Sequence, residues 1–465
     1  LFAAPTPAQL SAYLAEEQEE NALADAGLFR TLTPAQRAAA REAGIEERVE
    51  CVYPACGTME NRLWEQTPWP QVAFWLLPFD GSTVERLQKR LAELARAHQS
   101  LRSVFLFPEG ERPVQAVLRD YPPVFFYEDR SSDGDAAEAL SGKQKTYLGR
   151  LVRYDLTCPP ELTRGPLYRV RLIRTGEDRA VLYWLISHTL LDGQSMMGMW
   201  GELLDSGAVM PDDREMGRYF TRLLHGARDE AEAYWSELFD GRLTALPAPV
   251  EKGMKSSVRS LKAGGGTLWR RLSACCRERG VTVAAALHFC LGRALLSLTG
   301  EASCAFLSVS GGRSGASMEL MGNFTYAFPF VYKRGDSLRD CQEQLARAAA
   351  YAWVWSLPGR VPFPIEQKNT LILDVISLFG QRVESGYRSL TATEALDIIG
   401  IKAIVRLNLR QAERGVPGMM LQYDAWSGHL CTGSYNPSLV DEGFAAKLLK
   451  GLSHELEAWL IQREA

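Results

Sequence analysis

A chain of 465 residues exceeds the usual size of one hydrophobic core, so two lobes of similar size are expected. With 46% hydrophobic and 23% charged residues it can build a large interior, and a formal net charge of -4 gives no reason to expect a nucleic-acid or membrane-surface partner. No apolar run reaches the ~18 residues that span a bilayer, the first residues do not read as a signal peptide, and the nine cysteines lack paired spacing or neighbouring histidines. Cys275 and Cys276 are adjacent, and Cys51 and Cys56 are too far apart for a short zinc knuckle. Reduced, mostly buried thiols in a cytoplasmic protein without a metal are the expectation.

In chain order, LFAAPTPAQLSAYLAE reads as a short amphipathic helix with Pro7 at its start. A polar, alanine-rich stretch follows and reads as a helical linker over residues 17–48, leading into the main body near Val49. Ser82 and Glu85 form a capping-box pattern ahead of Val84, Leu87, Leu91 and Leu94, which share one helix face. Strands are expected at Leu101 to Phe107, Leu167 to Ile173 and Val181 to Ser187. The last of these is apolar throughout, as in a strand covered on both faces. Met196 to Leu204 and Arg228 to Phe239 read as helices.

The proline-rich segment LTALPAPVEKGMKSS is the expected join between a lobe at 49–240 and a second at 241–465. In the second lobe a helix from Thr282 to Leu298 ends at Gly300, and strands are expected at Ala305 to Val309, Thr370 to Leu378, Ile404 to Leu409 and Gly418 to Tyr423. A closing helix carries Phe444, Leu448, Leu452 and Leu456 on one face. Helices and strands mix without strict alternation, which predicts α+β lobes.

Chemistry concentrates in Ser187-His188-Thr-Leu-Leu-Asp192-Gly193-Gln-Ser195. A strand end projects a side chain from a rigid scaffold, and histidine exchanges a proton near neutral pH, as acyl transfer to an amine or alcohol requires. Asp192 is placed to hold the turn by pairing with an arginine, and Gly193 permits a tight entry into the following helix. On the motif alone, a catalytic histidine and a structural one are both open. His225, His288, His429 and His454 stand in helical or loop contexts without partners at useful spacing. Trp353, Trp355, Tyr326 and Phe328 fit core packing or a cavity wall.

Flanking segments resolve that choice by their order. From about Val49 onward the chain resembles the condensation domains of nonribosomal peptide synthetases, relatives of chloramphenicol acetyltransferase that carry HHxxxDG. ECVYPACGTMENRLWEQ resembles their opening motif with several departures. RAHQSLRSVF, with Arg96, His98 and Arg102, matches the second motif, and LTRGPLYRVRLIR, with Gly165, Pro166 and Arg169, the segment before the catalytic strand. SVSGGRSGASMELMGNFTYAFPF, with Arg313, Gly322, Asn323 and Phe324, resembles the later motif, and VPFPIEQ is a poorer echo of the penultimate one. Serine stands at 187 where most of the family has histidine. Ser187, His188, Asp192 and Ser195 fill the SHxxxDxxS pattern, which is similar to that of fungal terminal condensation domains that release a peptide by cyclisation. The opening sixteen residues look like the last helix of a peptidyl carrier domain, so the chain is expected to begin inside one, after its phosphopantetheine serine.

The resemblance implies two chloramphenicol acetyltransferase-like lobes in a V-shaped pseudo-dimer, working as a monomer when excised. It implies a linear peptidyl thioester substrate on the phosphopantetheine of an upstream carrier domain in cis, with no cofactor bound directly. His188 would orient an amine of the same peptide and accept its proton, as base or chiefly by positioning. The Gly193 amide would be the oxyanion donor and Asp192 an ion-pair partner of Arg102. Ser187 and Ser195 would shape the cavity, bond the substrate or cap the turn, and Asn323 would face the cleft. Three other readings stand beside cyclisation: an elongating domain that joins two carriers' substrates, a coenzyme-A-dependent acyltransferase, and an inactive recruitment platform of the same fold.

Overall fold

The computed structural model describes residues 31–55, 70–134, 140–204, 216, 219, 228–249, 259–263, 266–311, 320–352, 354, 369–376, 388–389, 418–424 and 429–461. The carrier-like helix at 1–16, Arg313, VPFPIEQ, Trp353, Trp355, His225 and the strand expected at Ile404 to Leu409 lie outside them. The chain divides into two compact units. The first takes Leu1–Ala227 with two later returns, Arg313–Phe324 and Gly380–Leu390, and the second takes the rest. The division thus falls at Ala227/Arg228, before the Leu243–Ser257 segment, and the return carrying Asn323 belongs to the first unit.

In the first unit, α1 (Pro34–Glu42) starts with a capping box in which Thr33 and Gln36 bond each other's backbone amides. Its Ala40, with Ile45 beyond it, packs on Val104, Leu106, Val114 and Ala116, so this end of the expected linker is part of the unit's core. Those residues line an antiparallel sheet of β1 (Val49–Pro54), β4 (Val114–Leu118) and β3 (Ser103–Leu106). The second sheet runs β12-β2-β7-β6-β5, from β12 (Arg388–Ser389) through β2 (Pro70–Pro78), β7 (Arg179–Ser187) and β6 (Tyr168–Arg174) to β5 (Phe125–Asp129). Among its described pairs only β5–β6 is parallel.

α2 (Thr83–Ala97) buries Leu87, Leu91 and Leu94 as the spacing predicts, but the Ser82/Glu85 box does not form. Ser82 is itself helical in conformation, and Asp80 Oδ1 takes the Ser82 amide and the Ser82 and Thr83 hydroxyls instead. Those three bonds favour the charged carboxylate and hold the Asp80 pKa down to about 2.

β7 is covered on both faces. Leu182, Trp184 and Ile186 meet α2 and Met199, Trp200 and Leu203 of α4 (Gly193–Leu204). On the other face Tyr183 donates at 2.8 Å to Asp155 of α3 (Gly142–Thr157), whose second oxygen takes Arg169 Nη1 at 2.9 Å. Asp155 is fully buried, while the Arg169 side chain keeps 22% exposure. Asp155→Ala strands the tyrosine hydroxyl and one guanidinium nitrogen, so urea unfolding should show a loss of about 3 kcal/mol. Ahead of β6, Gly165 has φ 61°, so any side chain there is strained, and a Cβ would displace the Tyr121 hydroxyl 1.8 Å away.

In the second unit a six-stranded sheet runs β10-β9-β11-β13-β14-β8, with β9–β11 and β11–β13 parallel and its other described pairs antiparallel. Its strands are β8 (Arg259–Ala263), β9 (Ser303–Ser310), β10 (Tyr326–Lys333), β11 (Leu371–Ile376), β13 (Met419–Asp424) and β14 (His429–Tyr435). α5 (Arg228–Leu238) brings Trp235 against Tyr326 and Phe328, which are therefore core residues, joined by Ala348 of α8 (Leu338–Tyr351). α6 (Gly266–Glu278), α7 (Val283–Thr299) and α9 (Glu442–Ile461) enclose Phe306 and Phe330, and α9 buries Leu448, Leu452 and Leu456. The bounds of α7 follow from its ends: Thr282 caps the Ala285 amide and Gly300 takes the left-handed conformation.

His288 on α7 is fully enclosed between Phe306 and Phe330, with Nδ1 on Ala284 O and Nε2 on Ser308 Oγ, both at 2.7 Å. It has partners that its spacing did not reveal. Burial disfavours its cation and lowers its pKa to about 4. Because the unfolded chain binds that proton near ~6.5, stability is full above that pH and falls as pH drops towards 4. Between pH 7 and pH 5 the expected loss is about 2 kcal/mol, and His288→Gln should flatten it in urea unfolding at those two pH values.

Among the described residues no single helix is long and apolar enough to cross a membrane, and no group of three or more His, Cys, Asp or Glu is placed to hold a metal. Cys51, Cys276, Cys290, Cys304 and Cys341 are buried, Cys275 is half-buried and Cys158 is exposed, all as thiols outside any disulfide.

Candidate active site

His188 is the first residue beyond β7, and the chain turns there at once. The Leu190 amide donates to Ser187 O at 2.9 Å, closing a four-residue turn with His188 and Thr189 in its middle. Ser187 is fully buried: its amide bonds Leu167 O at 2.7 Å and its hydroxyl lies 2.5 Å from Thr189 Oγ1. Ser187 therefore acts on the turn, pairing the strand end with its own second residue.

The half-buried His188 ring places Nδ1 2.7 Å from Leu191 O. A carbonyl only accepts, so the proton of this contact sits on Nδ1. In the neutral ring Nε2 is then the basic nitrogen. This is the tautomer control that proton-transferring histidines need, supplied by a backbone group three residues on. Nothing in the residue types announces it, because the acceptor is a main-chain oxygen.

Asp192 ends the turn and opens α4. Its Oδ1 accepts from the Ser195 amide at 2.8 Å, the N-cap arrangement that satisfies one of a helix's first donors. Its Oδ2 accepts from the Phe324 amide at 3.2 Å, and its own amide donates to Gly322 O at 3.1 Å. The expected Arg102–Asp192 pair is replaced by another: Arg102 Nη1 binds Glu50 Oε2 at 2.8 Å and Leu118 O at 2.6 Å. Arg102 emerges between α2 and β3 and so reaches the three-stranded sheet. Asp192 is instead met by backbone amides.

Ser195 completes the clamp. Its hydroxyl donates to Gly322 O at 2.7 Å and accepts from the Gly322 amide at 2.9 Å, so it anchors this segment. Ser100 holds the neighbouring Met321 O at 2.6 Å. A Cβ at Gly322 would come within 2.7 Å of the Phe324 ring, which would have to shift. Asn323 Nδ2 donates to His188 O at 2.5 Å. The Gly193 amide, first in α4, meets no acceptor among the described residues.

Farther along α4, Glu202 Oε2 lies 2.8 Å from Nε2 of the buried His98, and Arg90 bonds the Glu202 carbonyl. Trp200 packs on Trp75 and Trp184, with ring centroids at 5.3 and 4.8 Å. The helix that starts at the site is thus fixed to both α2 and β7. The resemblance of RAHQSLRSVF to the family's second motif singled out His98, but not its partner 104 residues away.

His188 thus stands at a strand end with its tautomer set and its turn bonded to the segment at Gly322 and Asn323. The condensation-domain family profile matches residues 79–352, more than half of the chain, and the chain belongs to that family of amide-forming acyltransferases. Surfactin synthase subunit 2 of Bacillus subtilis (strain 168) is 25% identical over 339 residues, which are 69% of this chain and 8% of that protein. Bacitracin synthase 3 of Bacillus licheniformis is 24% identical over 287 residues, 58% of this chain and 4% of that protein. The chain thus spans only a small part of the length of these relatives. Among solved structures, a condensation domain that mediates chain release from the enacyloxin polyketide synthase matches with a TM-score of 0.63 at 16% identity, covering 100% of this chain and 92% of that one. The epimerization domain from the third module of tyrocidine synthetase B matches with a TM-score of 0.64 at 16% identity, covering 86% and 94%. The fold is the chloramphenicol acetyltransferase-like α+β fold of condensation domains.

Proposed function

We propose that the chain is a terminal condensation domain of a nonribosomal peptide synthetase, which cyclises and releases a peptide held as a thioester by an upstream carrier domain in cis. The observation that carries this reading is the His188 Nδ1–Leu191 O contact at 2.7 Å, which leaves Nε2 as the base. An amine of the peptide attacks the thioester carbonyl, and the C–N bond forms. The carbon–sulfur bond breaks, and the sulfur leaves on the carrier's phosphopantetheine arm. Nε2 of His188 takes the proton that the amine must lose and returns it to the departing sulfur. The Gly193 amide, at the positive end of α4, donates to the oxygen that gains charge. Holding both ends of one peptide supplies proximity.

Two observations favour release over extension. Ser187 stands in the SHxxxDxxS pattern with His188, Asp192 and Ser195, and the fold also serves chain release in the enacyloxin synthase neighbour. As an excised domain the chain works as a monomer. The test loads a linear peptidyl thioester on the native carrier and follows the products by mass. Macrocycle is expected from wild type alone. Linear acid as the only product, equal for wild type and His188→Ala, sinks the cyclase reading, and incorporation of a free aminoacyl acceptor marks an elongating domain.

A further inference from the structure

We infer that Asn323 is a positioning residue for His188, acting through the backbone of the turn. The turn closed by Leu190 N–H and Ser187 O uses the outer carbonyl and amide, so its central peptide, His188 C=O to Thr189 N–H, lies outside the ring of that bond. That peptide's plane sets the path from His188 to Leu191, whose carbonyl in turn receives His188 Nδ1. Asn323 Nδ2 lies 2.5 Å from the central carbonyl and pins the plane. Its own backbone is held on either side, by Ser195 at Gly322 and by Asp192 at Phe324. Asn323 is therefore a fixed arm from a segment 135 residues away, and its amide is directed at main chain. The segment restrains the ring twice: Asp192 and Ser195 seat it, and Asn323 converts that seating into one orientation of the catalytic turn.

This inference rests on His188 being the reacting group only for its effect on rate; its effect on the ring stands apart. The variants are Asn323→Asp, nearly isosteric but lacking the donor, and Asn323→Ala. In protein labelled with 15N-histidine, with His188 assigned by its loss in His188→Gln, the wild type should show the proton on Nδ1. Both variants should populate the Nε2–H form, Asp more than Ala because a carboxylate then faces the carbonyl. Turnover in the carrier-loaded cyclisation assay should fall about tenfold, the scale of one hydrogen bond lost, with KM for the loaded carrier within about twofold. Thermal melting establishes that each variant is folded, and if Asp proves unfolded the Ala variant decides. Unchanged His188 nitrogen shifts in a folded variant overturn the inference. A changed tautomer with unchanged turnover supports it while overturning the catalytic reading of His188.

Discussion

His188→Ala should lower the rate of cyclic product release by about 10³-fold, within the range of one general acid–base group, while the loaded carrier still binds. The alanine protein gives up the Nδ1–Leu191 O bond of a half-buried ring, so it should melt within a few degrees of wild type. His188→Gln separates two roles for the ring. Glutamine keeps an N–H that reaches toward Leu191 O and an oxygen that accepts from an amine, but that oxygen does not take the proton away. If removal of the proton limits the reaction, Gln falls as far as Ala in single-turnover assays. Retention of most activity by Gln would make orientation of the amine the larger part of what His188 does.

Asp192→Ala should be the most destabilising change at the site, costing about 4 kcal/mol in urea unfolding. The carboxylate is 3% exposed and both of its oxygens receive main-chain amides, from Ser195 and from Phe324. Removing it uncaps α4, about 1 kcal/mol, and leaves a second buried N–H without its acceptor, about 1–3 kcal/mol. Charge-assisted bonds are the stronger kind, which puts the sum towards the top of that range. Asp192→Asn should recover only part, since its amide nitrogen must confront one of two N–H groups. Arg102→Ala is the contrasting change. It releases Glu50 and Leu118 O near the three-stranded sheet, and so should affect stability with no change in product distribution. A common effect of Arg102→Ala and Asp192→Ala on product distribution would contradict the separate networks seen here.

Much of the fold could be read from residue spacing because its causes are local. The unbroken apolar run of β7 announces a strand with both faces covered, and Thr282 with Gly300 brackets α7 to within a residue. His188 stands out as the first polar titratable side chain after that run. Where the local reading failed, a nearby competitor won. Asp80, two residues ahead of Ser82, took the hydrogen bonds that a capping box would have used.

By itself the sequence determined which strand delivers the histidine and which motif order surrounds it, since apolar run length and turn residues are properties of neighbours in the chain. Only the tertiary structure decided what each polar group touches. Asp192, Ser195 and His188 are each matched to main-chain atoms or an amide 127 to 135 residues away. Backbone donors carry no residue identity, and such separations leave no periodicity, so Arg102 was an equally reasonable partner until the chain had folded. The physical reason is reach: the short turn between α2 and β3 carries Arg102 to Glu50, whereas the return through Gly322 brings bare amides to Asp192 first.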